Sequence, residues 1–254
     1  MSDLSAFSLD GKRIVVTGAN TGIGQGIAIS IARAGGTVVG VGRSAMDETA
    51  GQVAVAGGSF VSVRCDLGDH KAAAAMLDTV WDERGPIDGL INNAGIIRRA
   101  DAVDFTETDW DDVMDVNLKS LFFLTQAFAR KVIATGREGR VVNIASMLSF
   151  QGGIRVVSYT ASKHGVLGVT RLLACEWAAK GINVNAIAPG YIVTNNTEAL
   201  RNDPDRSTAI LGRIPAGRWG EASDIGDAAV FLLAPASKYM HGAVIPVDGG
   251  WLAR

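Results

Sequence analysis

The chain has 254 residues, of which 48 % are hydrophobic and 20 % charged. This is an ordinary globular composition, and the length is sufficient for one domain with a large core. The formal net charge of −2 and the scattered arginines exclude nucleic acid and anionic membrane surfaces as expected partners.

The first residues and the two cysteines bear on where the protein works. The stretch MSDLSAFSLDGKR has neither a basic leader nor an apolar segment, so we predict no signal peptide. The apolar runs are too short for a membrane span. Cys65 and Cys175 form no C-x-x-C pair, and we interpret each as a buried, inert thiol. We therefore expect a cytoplasmic protein.

Short apolar, β-branched runs alternate with helical patterns along almost the whole chain. The predicted strands are 13–18, 37–42, 59–66, 87–95, 139–146, 182–190 and 243–250. The predicted helices are 22–35, 46–56, 69–84, about 108–135, 158–180 and 223–234, with Asp69 and Ser223 as N-caps. Unalternating strands between helices indicate a parallel sheet covered on both faces. We predict an α/β fold, a single doubly wound Rossmann-type domain over 1–254.

The first predicted strand runs into a glycine-rich turn, TGANTGIG (17–24), which opens the first helix. Gly18, Gly22 and Gly24 permit unusual backbone angles and a close approach of the main chain to a pyrophosphate. The free N–H groups at the start of helix 22–35 would face the phosphates. The turn therefore predicts a dinucleotide-binding site.

The end of the second strand bears on which dinucleotide is bound. An acidic residue there would bind a ribose 2′-hydroxyl, whereas an arginine would bind a 2′-phosphate. Here Gly42 stands at the acid's position and Arg43 follows it, which favours NADP. The glycine turn itself contains no basic residue, so NAD also remains open.

The stretch SYTASK (158–163) places Tyr159 and Lys163 on one face of a predicted helix. A free tyrosine has a pKa near 10 and is a poor base at neutral pH. At about 4 Å and an effective dielectric constant near 20, an ammonium attracts a phenolate by about 4 kcal/mol, which would lower the pKa by about 3. We therefore predict that Lys163 lowers the pKa of Tyr159 and makes it a general acid and base.

Six motifs follow one another in the order and spacing of the short-chain dehydrogenase/reductase family, which the sequence resembles over essentially its whole length. They are TGANTGIG, NNAG (92–95), Asn117 in DVNLKS, Ser146 in NIAS, the Tyr159/Lys163 pair and PGYIVT (189–194). The resemblance implies hydride transfer with a nicotinamide cofactor and a catalytic set of Asn117, Ser146, Tyr159 and Lys163. Ser146 would bond to the substrate oxygen, and Asn117 would hold a water beside Lys163.

The resemblance also implies a set of residues that bind NAD or NADP. The set is Gly18, Asn20, Thr21, Gly22, Ile23, Gly24, Arg43, Asp66, Leu67, Asn92, Asn93, Ala94, Gly95, Tyr159, Lys163, Pro189, Gly190, Ile192 and Thr194. Within it, Asp66 and Leu67 would face the adenine, and Ile192 and Thr194 would meet the carboxamide and the phosphates. The histidines, His70, His164 and His241, lack metal-ligand spacing, so we predict no metal site.

Longer segments, including ASMLSFQGGIRVVSYTASK and RIPAGRWG, resemble the branch of this family that acts on keto-deoxy sugar acids. That resemblance implies a small sugar-acid substrate whose carboxylate an arginine would bind. The candidates are Arg99, Arg155 and Arg218, with Gln151 and Trp219 as pocket neighbours. The polar segment at about 191–222 breaks the alternation of strands and helices and is predicted to be a substrate lid.

Three other functions remain open at this point. Two are enzymes of the same family, a 3-oxoacyl thioester reductase and another sugar dehydrogenase. The third is a dinucleotide sensor without activity, which would be expected to have lost one of the four catalytic residues. The predicted helices 108–135 and 158–180 carry apolar residues on more than one face, which suggests an oligomer. The family resemblance implies a homotetramer.

Overall fold

The computed structural model describes residues 4–254. The first three residues of MSDLSAFSLDGKR, for which we predict no signal peptide, lie outside the described residues. In the described chain, parallel strands form a seven-stranded sheet in the order β3-β2-β1-β4-β5-β6-β7. The strands are β1 (Arg13–Thr17), β2 (Thr37–Gly42), β3 (Ser59–Arg64), β4 (Gly89–Asn92), β5 (Gly139–Ile144), β6 (Ile182–Pro189) and β7 (Val244–Val247). The predicted fold class is confirmed, and the largest strand error is at β4, which is shorter than 87–95.

The six predicted helical regions are all present. The helices are α1 (Gly22–Arg33), α2 (Asp47–Val55), α3 (His70–Arg84), α4 (Glu107–Met114), α5 (Leu121–Thr135), α6 (Val157–Trp177), α7 (Glu198–Arg201), α8 (Pro204–Leu211) and α9 (Ala222–Leu233). The predicted N-cap of α3 is confirmed, because Asp69 accepts hydrogen bonds from the Lys71 and Ala72 N–H groups.

The predicted N-cap of the last helix is wrong. Helix α9 begins one residue earlier than expected, with Glu221 as its N-cap and Ser223 inside the first turn. Glu221 and Asp224 cap each other: the Glu221 N–H donates to the Asp224 carboxylate at 2.7 Å, and the Glu221 side chain accepts from the Asp224 N–H. This reciprocal pair satisfies two backbone donors at once, which a lone serine cannot do.

The predicted continuous helix 108–135 is interrupted. A π-helical segment, Asp115–Ser120, joins α4 to α5 and contains Asn117. Single π turns are uncommon and occur frequently at functional sites. Here the side chain of Asn117 bonds to the backbone of Ile96 on a separate segment, a tertiary contact that the helical periodicity could not indicate.

Helices cover both faces of the sheet, as expected for a doubly wound fold. On one face Val15 packs in a cluster with Leu77 of α3 and Phe128 of α5. On the other face Ile14 packs with Ile27 of α1 and the apolar side of α9. Because both faces are buried, the strands are apolar without alternation, and the sheet is held rigidly beneath its carboxyl edge.

The segment 191–222 leaves the sheet after β6 and returns before α9. Its two ends are joined by backbone bonds, from the Val193 N–H to Gly220 O at 2.8 Å and from the Gly220 N–H to Tyr191 O at 2.9 Å. Between them lie α7 and α8, whose Ile210 packs in a cluster with Met147. The segment is therefore a closed excursion with a packed base, and its role as a lid remains a prediction.

Two further observations concern the cysteines and the helices. Cys65 is buried, and this burial raises the pKa of its thiol, but Cys175 lies exposed on α6, so the interpretation of both thiols as buried is wrong for Cys175. Leu173, Ala174 and Trp177 point inward, whereas the helix turns Cys175 and Leu172 outward. Among residues 4–254, the helices lack the combined length and apolarity that crossing a membrane requires.

Candidate active site

A cavity of about 660 Å³ opens at the carboxyl ends of the central strands, where the strand order reverses between β1 and β4. Open α/β sheets place their ligands at such a reversal. Most of the predicted residues line it: Gly18, Asn20, Thr21, Gly22, Ile23, Arg43, Asp66, Leu67, Asn93, Ala94, Gly95, Ser146, Tyr159, Lys163, Pro189, Gly190, Ile192 and Thr194. The structure thus brings the two predicted ends of the site, phosphate-binding and catalytic, into one cavity.

Several predicted residues do not line this cavity, and several unpredicted ones do. The predicted residues outside the lining are Gly24, Asn92, Asn117, Arg99, Gln151, Arg155, Arg218 and Trp219. The lining residues that the sequence reasoning missed include Ser44, Arg64, Ile96, Val116, Asn195, Asn196 and Thr197. Arg64 is the last residue of β3, and Ser44 follows Arg43 in the chain. The closeness of Ser44 to Arg43 is the signal that could have identified Ser44, whereas the closeness of Arg64 to Gly42 is seen only in the structure.

The glycine turn uses its residues in two ways. Gly18 and Gly22 have φ values of 66° and 57°, in the left-handed region that favours glycine. Gly24 does not face the cavity. A Cβ at Gly24 would lie closer than 3.0 Å to the Gly18 carbonyl oxygen, so this glycine allows α1 to pack against the turn. Gly24 therefore has a role in packing, and its predicted contact with the cofactor remains a prediction.

Thr17 supports the turn from beneath and was missed by the sequence reasoning. Its hydroxyl donates to Ile91 O at 3.2 Å and accepts from the N–H groups of Asn93 and Ala94 at 2.9 Å and 3.0 Å. The Asn93 amide in turn donates to Thr17 O at 2.9 Å. These bonds join the carboxyl ends of β1 and β4, and they fix the floor of the cavity before any ligand binds.

At the far end of the cavity, Gly42 is buried and Arg43 is exposed. A Cβ at Gly42 would lie 3.3 Å from the Asn20 side-chain oxygen. Asp66 lines the same end, and its carboxylate accepts a hydrogen bond from the Gly68 N–H at 2.9 Å. This end therefore carries a glycine where an NAD-specific site would carry an acid, and an exposed arginine follows that glycine.

Ser146 and Tyr159 meet at the other end. Ser146 caps a short 3₁₀ turn, and its hydroxyl accepts from the Leu148 N–H at 3.1 Å. Tyr159 is partly buried at the start of α6. Burial raises the pKa of Tyr159, while hydrogen bonding to Ser146 and the positive charge of Arg99 oppose that increase.

The predicted effect of Lys163 on this tyrosine is not found in the structure. The Lys163 ammonium donates to Ile144 O at 2.6 Å and lies 5.6 Å from the centre of the Tyr159 ring. It therefore faces the ring and a backbone carbonyl, and the groups that lower the pKa of Tyr159 are Ser146 and Arg99. The side chain of Lys163 is buried, and this burial lowers its own pKa to about 8. The prediction that Lys163 lowers the pKa of Tyr159 is wrong for this arrangement, because desolvation outweighs the attraction.

Asn117 lies outside the cavity lining but is linked to it. Its side-chain oxygen accepts from the Ile96 N–H at 2.8 Å, and its amide donates to Ile96 O at 3.0 Å and to the Ser162 hydroxyl at 3.2 Å. The Ser162 hydroxyl donates to the backbone carbonyl oxygen of Tyr159 at 2.8 Å. The side chain of Asn117 therefore fixes the lining residue Ile96 against α6, and its predicted contact with a water remains a prediction.

The three candidate arginines differ in their partners. Arg218 forms two parallel bonds with Asp224, at 2.8 Å and 3.0 Å, and Arg155 pairs with Asp101 at 3.1 Å. The Arg155 backbone also has a φ of 64°, a strained value for a residue other than glycine. Among the described residues Arg99 forms no ion pair, since its one hydrogen bond runs to Asn196 O at 3.5 Å.

Gln151 and Trp219 join an aromatic cluster at the base of the 191–222 segment. Tyr191 packs edge-on against both Trp219 and Trp251, with ring centres 5.4 Å and 4.9 Å apart. The Trp251 N–H donates to the Gln151 side-chain oxygen at 3.3 Å, and Arg213 stacks 4.0 Å from the centre of the Trp251 ring. These contacts tie the C-terminal segment to the excursion, and the cavity wall formed by Gly190 and Ile192 adjoins them.

The chemistry available here is that of a dinucleotide and a phenol. Over the range 4–254, no three His, Cys, Asp or Glu side chains lie close enough together to hold a metal ion. The glycine cradle, the start of α1 and Arg43 fit a dinucleotide with its phosphates. Tyr159 and Ser146 fit a substrate oxygen that gains or loses a proton.

Comparisons with known proteins agree with this reading of the site. A family model described as enoyl-(acyl carrier protein) reductase matches residues 18–252. The chain is 59 % identical over 251 residues to the 2-dehydro-3-deoxy-D-gluconate 5-dehydrogenase of Escherichia coli, covering 99 % of each chain. It is 38 % identical over 245 residues to a 3-oxoacyl-(acyl-carrier-protein) reductase of Vibrio cholerae, covering 96 % of this chain and 98 % of that protein.

A solved structure is also similar over nearly the whole chain. It comes from Agrobacterium tumefaciens, carries a provisional assignment as a 2-deoxy-D-gluconate 3-dehydrogenase, and contains bound NADP. Its sequence is 63 % identical, and the TM-score is 0.94 with 98 % of this chain and 99 % of that chain covered. The fold therefore has a counterpart in a solved structure that contains NADP.

Proposed function

The chain belongs to the short-chain dehydrogenase/reductase family, and we propose that it transfers hydride between NADP(H) and a keto-deoxy sugar acid. The reaction interconverts a secondary alcohol and a ketone, as the name 2-dehydro-3-deoxy-D-gluconate 5-dehydrogenase describes for its Escherichia coli relative. The observation that carries the proposal is that Ser146, Tyr159 and Lys163 line one cavity with the glycine turn.

The phosphate end of the cavity fits a nicotinamide dinucleotide. Gly18 and Gly22 leave the main chain open to a pyrophosphate, and the first N–H groups of α1 point toward it. Arg43 at the adenosine end supports NADP over NAD, and the related Agrobacterium structure contains NADP. A cofactor held there supplies or accepts the hydride.

Tyr159 moves the proton at the other end. Because its pKa is raised above 10, the phenol is protonated at neutral pH and is ready to donate to a carbonyl oxygen during reduction. Ser146 lies beside it and stabilises the developing charge on that oxygen. In the oxidation direction the deprotonated form of Tyr159, its phenolate, takes the proton from the alcohol as the hydride leaves for the cofactor. Lys163 is buried 5.6 Å from the centre of the Tyr159 ring, and its ammonium donates to Ile144 O.

The carboxylate of the sugar acid requires a cation that is not already paired. Arg155 and Arg218 are paired with Asp101 and Asp224, whereas Arg99 has no acidic partner in residues 4–254. The positive charge of Arg99 also opposes the increase in the pKa of Tyr159, which supports this assignment. We therefore assign the carboxylate to Arg99.

A second candidate is reduction of a 3-oxoacyl thioester. The description of the matching family model and the Vibrio cholerae relative favour it. A carrier-protein partner is acidic and would favour a basic surface, whereas the charges of this chain are nearly balanced and scattered. The higher identity of 59 % is to a sugar-acid enzyme, so we rank the thioester second.

One assay separates these candidates. Oxidation of NADPH and NADH is followed with a 5-keto-3-deoxy uronate, an acetoacetyl thioester and glucose, and we expect turnover of the uronate with NADPH. Tyr159→Phe is expected to lower kcat by about 10² to 10⁴ while the Kd for NADPH is unchanged. Turnover of the thioester alone would overturn the substrate assignment, and wild-type kcat in the phenylalanine variant would overturn the mechanism.

Three sequence-based expectations remain predictions alongside this function. They are location in the cytoplasm, assembly as a homotetramer, and the action of the 191–222 segment as a lid over the substrate. Size-exclusion chromatography with light scattering would test the assembly. The apolar side chains that α6 leaves exposed, such as Leu172, support an oligomer.

A further inference from the structure

The carboxyl ends of β2 and β3 lie side by side at the adenosine end of the cavity. In the register of these two strands, Gly42 is the partner of Arg64. Arg43 follows Gly42 in the chain, so the structure brings two arginines next to each other across a residue that has no side chain. Both arginines line the cavity.

Neither guanidinium is neutralised by the protein. Within residues 4–254, the side chains of Arg43 and Arg64 form neither an ion pair nor a hydrogen bond, in contrast to those of Arg218 and Arg155. Asp66 is the acidic residue that lines this end, and its carboxylate is bound to the Gly68 N–H of its own loop. Two adjacent cations without a counter-charge repel each other, and an anion between them relieves that repulsion.

The shape of this end selects the kind of anion. Gly42 lies between Arg43 and Arg64 and adds no side chain to the cavity there, and the Asn20 side chain lines the same wall. A phosphate monoester presents three acceptor oxygens, and arginine forks bind such oxygens in pairs. A ribose 2′-hydroxyl is neutral and gains nothing comparable from a second cation.

We propose that Arg64 is a specificity residue that binds the 2′-phosphate of NADP together with Arg43. The proposal deepens the proposed function and rests on it, because it requires that the cavity holds a nicotinamide dinucleotide. Arg64 belongs to the end of β3, where the sequence gives no glycine-rich signal, and it acts on the choice of cofactor and not on the chemical step.

The test uses binding of cofactor fragments, so it does not depend on turnover. Isothermal titration calorimetry gives the Kd of 2′,5′-ADP and of 5′-AMP for the wild type and for Arg64→Gln, Arg43→Gln and Arg130→Gln. Arg130 is a matched control because it lies on α5, away from this cavity. We expect each of the first two variants to bind 2′,5′-ADP about ten- to a hundredfold more weakly, with the Kd of 5′-AMP and the Tm unchanged.

The outcomes distinguish this proposal from the function on which it rests. If Arg64→Gln loses affinity for both fragments equally, or for neither, Arg64 is not a 2′-phosphate ligand and the proposed function still stands. Preference of the wild type for 5′-AMP would overturn the role of Arg64 and leave an NAD-dependent enzyme. If the wild type binds neither fragment, the cofactor site itself is refuted, and the proposed function fails with it.

Discussion

The cofactor end of the cavity and the neighbouring region that holds the predicted substrate residues, which we call the substrate end, use their arginines differently. At the cofactor end, Arg43 and Arg64 have no acidic partner among residues 4–254, and they face the cavity. At the substrate end, Arg218 is held by Asp224, and Arg155 by Asp101. The arginines at the cofactor end are therefore available to bind an anionic ligand, whereas Arg155 and Arg218 at the substrate end form ion pairs within the protein.

The two ends also differ in how the chain builds them. The cofactor end consists of strand–turn–helix units that are each local in sequence, and Thr17 joins two of these units across 76 residues. The substrate end is assembled from distant segments: Trp251 bonds to Gln151 across 100 residues, and Arg254 donates to Gly212 O across 42. A local unit needs few long-range contacts to form, whereas an assembled one depends on every segment being in place. We expect the substrate end to be the more easily perturbed and the more variable of the two.

The largest effect is expected from breaking the cofactor end at Gly24. Gly24→Ala would bring a Cβ within 3.0 Å of the Gly18 carbonyl and to 2.5 Å of the Asn93 amide, so the turn must move. We expect a loss of about 3 kcal/mol in the free energy of unfolding, from urea titration, and loss of NADPH binding. The control is Gly51→Ala on α2, where nothing lies within 4 Å and a gain of about 0.5 to 1 kcal/mol is expected. An unchanged Kd for NADPH in Gly24→Ala would show that the turn is not rigid.

Lys163 is buried beside the Tyr159 ring, and this burial makes the free energy of unfolding depend on pH. Its pKa is about 8 in the folded protein, against 10.5 ordinarily, so between these values the unfolded chain binds more protons than the native one. Stability therefore rises with pH in this window, and from pH 7 to pH 9.5 the gain is about 2 kcal/mol. Tyr159 adds little below pH 9.5, because its pKa is above 10 when folded and about 10 when unfolded.

The measurement is urea unfolding of the wild type and of Lys163→Met at pH 7, 8, 9 and 9.5. All other groups titrate in both proteins, so the difference in slope belongs to Lys163. If the free energy of unfolding rises with pH no more steeply in the wild type than in the methionine variant, the Lys163 ammonium is solvated in the folded protein and its pKa is not lowered by burial.

The features that the sequence could predict are those encoded within a few neighbouring residues. The strands are continuous apolar runs, and the glycine turn carries its φ requirements in its own residues, as Gly18 and Gly22 show. The residues Ser146, Tyr159 and Lys163 came from family spacing, and the fold brings them to one cavity. Arg64 lies inside the predicted strand 59–66, and only the structure shows that it ends β3 beside Gly42.

The features that escaped prediction depend on contacts between distant residues. No periodicity indicates that Asn117 bonds to Ile96 and widens a helix turn, or that Asp224 occupies Arg218. The effect of Lys163 on Tyr159 was derived from an assumed distance of about 4 Å in a medium of effective dielectric constant near 20. The structure places the ammonium against the ring and in a dry environment, and burial then dominates both pKa values.

A smaller effect is expected from reversing the charge preference of the cofactor end. Gly42→Asp places a carboxylate where an NAD-specific site has one, beside Arg43 and Arg64. We expect NADPH to bind about ten- to a hundredfold more weakly and NADH to bind more tightly, measured by nicotinamide fluorescence. Gly42→Ala is the matched control, since it adds the same Cβ 3.3 Å from the Asn20 oxygen without the charge. Equal weakening of both cofactors in both variants would mean that space, and not charge, sets the preference.

The smallest effects are expected at the substrate end. There, two substitutions compare Arg99, which has no ion pair among residues 4–254, with Arg218, which is paired with Asp224. Arg99→Gln is expected to raise the KM for the sugar acid about tenfold and to leave the KM for an uncharged ketone unchanged, because one charge-assisted bond is lost. Arg218→Gln is expected to lower the free energy of unfolding by less than about 1 kcal/mol, since its pair with Asp224 is exposed, and to change KM little. If Arg218→Gln instead raises the KM for the sugar acid alone, the Arg218 guanidinium must leave Asp224 when the substrate binds. The substrate end would then also provide an arginine for the ligand, as the cofactor end does.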